Sequence, residues 1–285
     1  MLWIALLAAL AVYVFAIEPG WLVVRRVDVP IPGLPRALDG LRIGQLSDLH
    51  RGPMMPRSRV ERAVALMAAE APDLVALTGD FVSYWPGYAA ELDEILAPLH
   101  PPLGTFACTG NHEHWANPDA VVAALRTAGV TVLRNQHRMV TVNGAQLCVV
   151  GVDDTGFFGF SFYRADSTDD LPAALANSPL SDVTRVLLVH SPDFVMGSVF
   201  AEETARRPIH LVLSGHTHGG QGRLPLGGTP YLPSQYRWLF GGGLVQAAGT
   251  QVYVSRGVGS SWPMRFNCRP EVNILRLQVA EAWCI

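Results

Sequence analysis

The 285 residues are 49% hydrophobic and only 16% charged, which excludes a disordered chain and suits one large α/β domain or two small ones, either with a sizeable core. Twenty-one basic residues, all arginine, face 24 acidic ones for a net charge of −3, and no basic cluster is present to track a phosphate backbone. Nucleic acid is therefore not an expected partner. Cys108, Cys148, Cys268 and Cys284 are far apart and form no C-x-x-C pair, so a zinc ribbon or a thioredoxin-like motif is unsupported.

Residues 1–26 read as a membrane anchor. Positions 1–17 carry no charged side chain, Trp3, Tyr13 and Trp21 suit the two interfaces, and Arg25-Arg26 follows. A bilayer core of ~30 Å needs about 20 apolar residues, with ~17 as the lower limit. A cleaved signal would carry a basic start and a small-residue cleavage site, and neither is present. A signal or a core helix are the competing readings. With nothing basic before the apolar run, the positive-inside rule puts the main domain on the cytoplasmic side of a single-pass anchor.

Residues 27–41 (VDVPIPGLPRALDGL) read as a Pro-rich extended linker, with the folded domain over 42–285. Strand 42–47 leads to a helix over 57–70 with Val60, Val64 and Met67 on one face. Strand 73–78, a helix over 89–99 and strand 104–108 follow. Asn117 is placed to cap a helix over 118–128. Segments 139–142 and 146–150 meet across Asn143-Gly144 as a hairpin. Strands 183–189 and 209–213 flank a helix near 194–206, and strands at 251–255 and 272–279 close the chain. The alternation predicts an α/β fold with one mixed sheet, or two packed sheets with helices outside.

Polar residues collect where these strands end: Asp48 and His50 (LSDLH), Asp80 (LTGD), Asn111 and His112 (TGNHE), His190 (LLVHSPD), and His216 with His218 (LSGHTHGG). Ligands gather beyond the carboxyl ends of strands in open α/β sheets, so five strand ends can converge on one site. Each x-spaced pair points two side chains the same way from extended backbone. A mixture of His, Asp and Asn suits borderline divalent metals such as Mn, Fe, Zn, Co or Ni. Seven ligands are too many for one tetrahedral ion and suit two, ~3.5–4 Å apart. Any one of these motifs alone is weak, since G-D is a turn and G-N-H a loop. Their presence together, in this order and at strand ends, carries the inference. His100, His114, His137 and His210 lack that context and read as structural or surface residues.

D-x-H, G-D, G-N-H-[DE], a lone His and G-H-x-H together resemble the calcineurin-like metallophosphoesterase superfamily, from about Arg42 onward. SGHTHGGQ (214–221) and the later VSRGVGSS are similar to its small bacterial membrane-associated branch. The resemblance implies two mixed β-sheets packed as a sandwich, flanked by helices, with a dinuclear site at one edge. Carried over motif by motif, Asp48, His50 and His218 would hold the first metal and Asn111, His190 and His216 the second. Asp80 would bridge them, and His112 would be the catalytic imidazole. The implied activity is phosphoester hydrolysis by in-line attack of a metal-bridging hydroxide, with two divalent ions as cofactor and manganese foremost. The family commonly has a second Asp three residues after the bridging one to orient the catalytic His; here Ser83 stands there.

Three aromatic segments, 81–88 (FVSYWPGY), 157–163 (FFGFSFY) and 236–240 (YRWLF), read either as loop packing or as an apolar rim facing a bilayer or an acyl chain. Arg51 reads as a phosphate contact or a surface charge. The expected substrate is a phosphodiester or pyrophosphate, lipid-linked in the manner of UDP-diacylglucosamine, which the branch resemblance implies. A general phosphodiesterase or phosphatase on soluble substrates and a non-catalytic metal-binding membrane scaffold are the alternatives. Oligomeric state is not legible.

Overall fold

Apolar strands buried on both faces must be covered twice, and here two six-stranded sheets cover each other inside while helices cover them outside. The computed structural model describes residues 1–154, 168–225, 228–260 and 262–280. Helix α1 (Leu2–Val12) continues through a π turn at Tyr13–Ile17 and a 3-10 turn at Glu18–Gly20, making one apolar run, Leu2–Gly20. Then come β1 (Val23–Pro32), β2 (Arg42–Leu46), α2 (Arg57–Ala69), β3 (Leu74–Thr78), α3 (Leu92–Leu96), β4 (Thr105–Cys108), α4 (Asn111–Ala116), α5 (Pro118–Thr127) and β5 (Thr131–Val132). The second half holds β6 (Gln136–Val142), β7 (Ala145–Gly151), α6 (Leu171–Leu175), β8 (Val183–Leu188), α7 (Ser198–Arg206), β9 (Leu211–Ser214), β10 (Gly243–Ala247), β11 (Thr250–Val254) and β12 (Glu271–Ala280).

One sheet runs β1-β12-β2-β3-β4-β5 and the other β10-β11-β9-β8-β7-β6. Both are mixed: β2, β3, β4 and β5 are mutually parallel beside antiparallel β12, and β7, β8, β9 and β11 are parallel between antiparallel β6 and β10. Ile43, Ala76, Phe106 and Leu275 from one sheet pack on Val149, Leu188, Leu213 and Tyr253 from the other. Each such fully buried Leu or Ile stabilises the fold by about 1.5–3 kcal/mol relative to exposure. On the outside, α2 lays Val60, Ala63, Val64 and Met67 on the first sheet at helical spacing. Helices α6 and α7 cover the second. Asn117 accepts from the Ala120 amide at 3.1 Å, capping α5 as expected. Asn143 (φ 50°) and Gly144 (φ 85°) turn the hairpin between β6 and β7.

The segment expected as a linker at 27–41 is instead largely structural. Val23–Pro32 pairs parallel with β12 over ten residues, from Val23↔Glu271 to Pro32↔Ala280. Pro30 and Pro32 lack an amide hydrogen, which an edge strand tolerates and an inner strand does not. Val29 and Ile31 are buried in the inter-sheet core. Two expected helices are also shorter than their apolar spacing suggested: 89–99 becomes a 3-10 turn at Pro86–Glu91 followed by α3, and 194–206 becomes a 3-10 turn at Pro192–Met196 followed by α7. Gly197 separates the last pair.

Candidate metal centre

Strands β2, β3 and β4 of one sheet and β8 and β9 of the other deliver their carboxyl ends to one edge of the sandwich. Just beyond them lie Asp48 and His50, Asp80, Asn111 and His112, His190, and His216 and His218, all buried except His216, which is partly buried. Asp48, His50, Asp80, His216 and His218 have φ between 48° and 66°. A left-handed backbone at non-glycine residues costs of order 1–3 kcal/mol each and clusters at functional sites. Glycines make the turns close: a Cβ on Gly110 would lie 2.4 Å from Asp80 Oδ1, and one on Gly215 would strike Ser47 and Asp48.

The side chains converge. Asp48, His50 and His218 form one cluster, Asp48, Asp80 and His190 a second, and His50, Asp80 and His112 a third. His50 Nε2 faces His218 Nε2 at 3.2 Å and lies 3.4 Å from Asp80 Oδ2. His218 Nε2 is 3.4 Å from Asp48 Oδ1. His190 Nε2 is 3.1 Å from Asp80 Oδ2, and His216 Nδ1 is 3.0 Å from Asn111 Oδ1. Every residue expected as a ligand is therefore in this one cluster. The backbone aims several of them: His112 N donates to Asp80 Oδ1 at 2.9 Å, and His216 N donates to Asp48 Oδ1 at 3.1 Å. His190 Nδ1 donates to the Thr78 carbonyl at 2.7 Å, fixing the tautomer that turns Nε2 inward.

Fit to cations follows from what these atoms lack. Nε2 of His190, 3.1 Å from Asp80 Oδ2, is buried with no hydrogen-bond partner, and Nε2 of His50 and of His218 crowd the same carboxylates and each other. Orphaned buried polar atoms are rare in protein interiors, and imidazole nitrogens gathered around carboxylates are what a divalent cation takes. Burial draws His50 and His218 well below the ordinary imidazole range, reinforced by His112 and by His50 respectively, and takes His216 down to about 3. These rings are neutral and present lone pairs. At His190 burial acts downward too, but Asp80 and Asp48 outweigh it and the pKa rises. Burial pushes the Asp48 carboxyl up to about 6 against the pull of His190. At Asp80 burial acts upward, yet His190, His112 and His50 hold the carboxyl well below its usual range.

Three contributors were not anticipated. Glu113 accepts the amides of Asp80 and Gly110 through Oε2 (2.8 and 2.7 Å) and of Phe81 and Val82 through Oε1 (2.8 and 3.4 Å). It clamps the two loops that carry Asp80 and Asn111. Burial and Asp80 push its carboxyl up to about 8, while the ring of amides favours the ionised form. Arg265 is buried and donates to the carbonyls of Arg256, Gly259 and Cys268, bracing the loop that crosses Asp48. The Ser83 carbonyl accepts from His112 Nδ1. Sequence spacing marks Glu113 only as the last position of G-N-H-[DE] and marks neither Arg265 nor the Ser83 carbonyl, since contacts to backbone groups have no side-chain signature.

Arg51 is neither a free surface charge nor available to phosphate. Its guanidinium pairs with both oxygens of Glu91, donates to the carbonyls of Gly52 and Met55, and lies over the Tyr88 ring. The aromatic segments divide. Phe81 and Phe240 are core, whereas Tyr84, Trp85 and Trp238 are exposed at 46%, 54% and 82%. Tyr84 and Trp115 stack on each other, with ring centroids 4.9 and 4.4 Å from that of His112. Segment 157–163 lies outside the described residues. His114 binds Asp153, His137 donates to the Ala174 carbonyl, and His210 accepts from the Arg185 amide; none reaches this cluster.

A two-sheet sandwich with this cluster at the strand ends defines a metallophosphoesterase. The model of the calcineurin-like phosphoesterase family matches residues 41–220, and the chain belongs to that family, as a metal-dependent phosphoester hydrolase. It is similar to phosphodiesterase YaeI of Escherichia coli strain K12, with 34% identity over 270 residues covering 93% of this chain and 92% of that one. It is also 32% identical over 282 residues to a transmembrane protein with metallophosphoesterase domain from Danio rerio, covering 96% of this chain and 61% of that protein. Among solved structures, TT1561 of Thermus thermophilus shares the fold at a TM-score of 0.50 and 16% identity, over 76% of this chain and 89% of that one. Family and geometry together point to a dinuclear divalent-metal site.

Proposed function

We propose that the protein is a membrane-anchored phosphodiesterase or pyrophosphatase. In this reading Asp48, His50 and His218 would hold one divalent cation, Asn111, His190 and His216 would hold a second, and Asp80 would be shared between them. Manganese is the first candidate. The observation that carries the proposal is the meeting of these side chains from both sheets, with Nε2 of His50, His190 and His218 turned onto two buried carboxylates. The name of the Escherichia coli relative supports diester hydrolysis.

When bound, such a cation pair supplies a nucleophile from water at neutral pH and offsets phosphoryl charge. The chain supplies the rest. Asn111 offers a neutral oxygen, which limits the negative charge facing an anionic substrate. His112, held through Nδ1 by the Ser83 carbonyl, turns Nε2 toward the site, 3.9 Å from Asp80 Oδ2. From Nε2 it is placed to give a proton to the departing oxygen, an alkoxide from a diester or a phosphate from a pyrophosphate, a step worth typically ~10²–10⁴-fold.

The N-terminal apolar run and the transmembrane name of the Danio rerio relative support membrane association. Arg25 and Arg26 after the run favour a cytoplasmic domain. Tyr84, exposed with its ring 4.9 Å from that of His112, and exposed Trp85 edge-on to Tyr84 suit an acyl chain beside the site, which makes a lipid-linked pyrophosphate such as UDP-diacylglucosamine the candidate substrate.

The test is hydrolysis of bis-p-nitrophenyl phosphate against p-nitrophenyl phosphate by the full chain in detergent. It is run metal-stripped and with Mn²⁺, beside His112→Ala and Asp80→Asn. Mn-dependent diester turnover lost in both variants is the expected result. Cation binding without turnover of these esters or of UDP-diacylglucosamine in mixed micelles overturns the reading in favour of a scaffold.

A further inference from the structure

The N-terminal helix does not leave the domain at its last residue. Segment 265–269 runs alongside it: Arg265 N donates to the Val14 carbonyl at 3.0 Å, and the Phe266 ring meets Tyr13 edge-on at 6.5 Å. The Glu18 carboxylate accepts the amides of Asn267 and Cys268 at 2.8 and 2.5 Å, and the Arg269 guanidinium lies 3.6 Å over the Trp21 ring. Successive loop residues thus follow successive turns of the helix. Arg265 sits level with Val14, roughly 9 Å along the axis from Gly20 at ~1.5 Å per residue.

That register sets a depth. The helix beyond the docked part, Leu2–Val12, has 11 residues and is about 16 Å long, roughly half of a ~30 Å hydrocarbon core. The apolar run crosses a bilayer only if Tyr13–Ile17 enters too, and the loop docked there then enters with it. The loop has the chemistry for that position. Trp262 is 75% exposed and Met264 37%. Arg265, the single charge within 262–266, is turned inward onto carbonyl oxygens. Tryptophan favours the headgroup level, and interfacial elements sink ~5–10 Å.

The same loop is tied to the metal centre on both sides. Gln221, three residues after His218, donates through Nε2 to the Trp262 and Met264 carbonyls at 3.0 and 2.8 Å. Gly259 N donates to the Asp48 carbonyl at 2.7 Å. We propose that residues 262–266 insert into the lipid headgroup region and seat the metal centre at the bilayer surface, where it meets lipid-borne phosphoesters directly. The proposal rests on the anchored reading above.

The experiment places nitroxide labels on Trp262→Cys, Leu7→Cys and Asp182→Cys in the full chain, reconstituted in phosphatidylcholine vesicles. Cys108, Cys148 and Cys268 are buried, and Cys284→Ser removes the remaining thiol. Collision rates with oxygen, enriched in lipid, and with a water-soluble nickel chelate report the surroundings. The expected result is a lipid-like label at 262, resembling position 7 rather than exposed position 182. A water-like label at 262 beside a lipid-like one at 7 overturns the insertion and leaves the anchor intact. A label at 262 shielded from both reagents overturns it in favour of a covering protein or a second copy. Water-like labels at both 7 and 262 overturn the anchor and the insertion together.

Discussion

His112 Nδ1–H donates to the main-chain carbonyl of Ser83 at 2.5 Å, while the Ser83 hydroxyl turns away to donate to the carbonyl of His50 at 3.0 Å. A carbonyl only accepts, so Nδ1 carries the proton and Nε2 faces the site. The orienting work that the family commonly gives to an Asp at this position is performed by backbone. Ser83→Ala therefore keeps kcat on a soluble diester within a few-fold. It loses about 1 kcal/mol of stability with the hydroxyl bond. His112→Ala lowers kcat by roughly 10²–10⁴-fold. Comparable kcat losses in the two variants would show that the serine side chain matters to the chemistry.

Glu113 holds four backbone amides around the Asp80 and Asn111 loops. In Glu113→Gln an amide nitrogen replaces one accepting oxygen and confronts donors. Positioning groups behind metal ligands typically govern about 10–100-fold in metal affinity. Titration calorimetry should show weakened Mn²⁺ binding of about that size, with kcat recovering at saturating Mn²⁺. A fall in kcat at unchanged affinity would move Glu113 into the chemistry itself.

Cation binding should also stabilise the fold, because it relieves the crowding of Asp48 against Asp80. At a concentration about 100-fold above Kd the linkage is worth about 2.7 kcal/mol. The melting temperature should fall on chelation and return with Mn²⁺, with two ions per chain by elemental analysis. Asp80→Asn should abolish most of the return. One ion per chain with an unchanged melting temperature would exclude the dinuclear arrangement.

His210 gives a pH signature far from the metal centre, at the opposite end of β9. Burial lowers its pKa, with Arg185 adding to the shift, and its Nδ1 accepts the Arg185 amide at 3.1 Å. The sign follows from proton counts: below the unfolded value of about 6.5 the unfolded chain binds the extra proton. This contribution to stability is therefore present above that pH and is lost as pH falls toward the folded value. His210→Asn keeps an acceptor but removes the titration. Between about pH 7.5 and 5 it should lose less stability than the wild type in denaturant melts. Parallel losses would place the titration elsewhere.

The clustering of the expected site residues was legible because each is a side chain at a strand end, and strand ends follow from apolar runs such as LVALT before Gly79-Asp80. The two-sheet architecture came through the family resemblance, since periodicity left a single mixed sheet open. What stayed hidden was main-chain business. Prolines made β1 look like a tether, although an edge strand can spare those amides. Glu113, Arg265 and the Ser83 carbonyl act through backbone groups brought near by tertiary contacts between distant parts of the chain, which no local pattern announces.

Strand β1 begins at Val23, three residues after the apolar run ends, and is zipped to β12 from its first residue. Glu18 is already bonded to residues 267 and 268. The connection between helix and enzyme thus has no slack. A catalytic head on a flexible leash sweeps a volume; on the anchored reading proposed above this one would be a fixed fitting whose reach is the patch of surface directly under it. A cut at residue 26 would slice through β1 and leave Glu271 without Arg25.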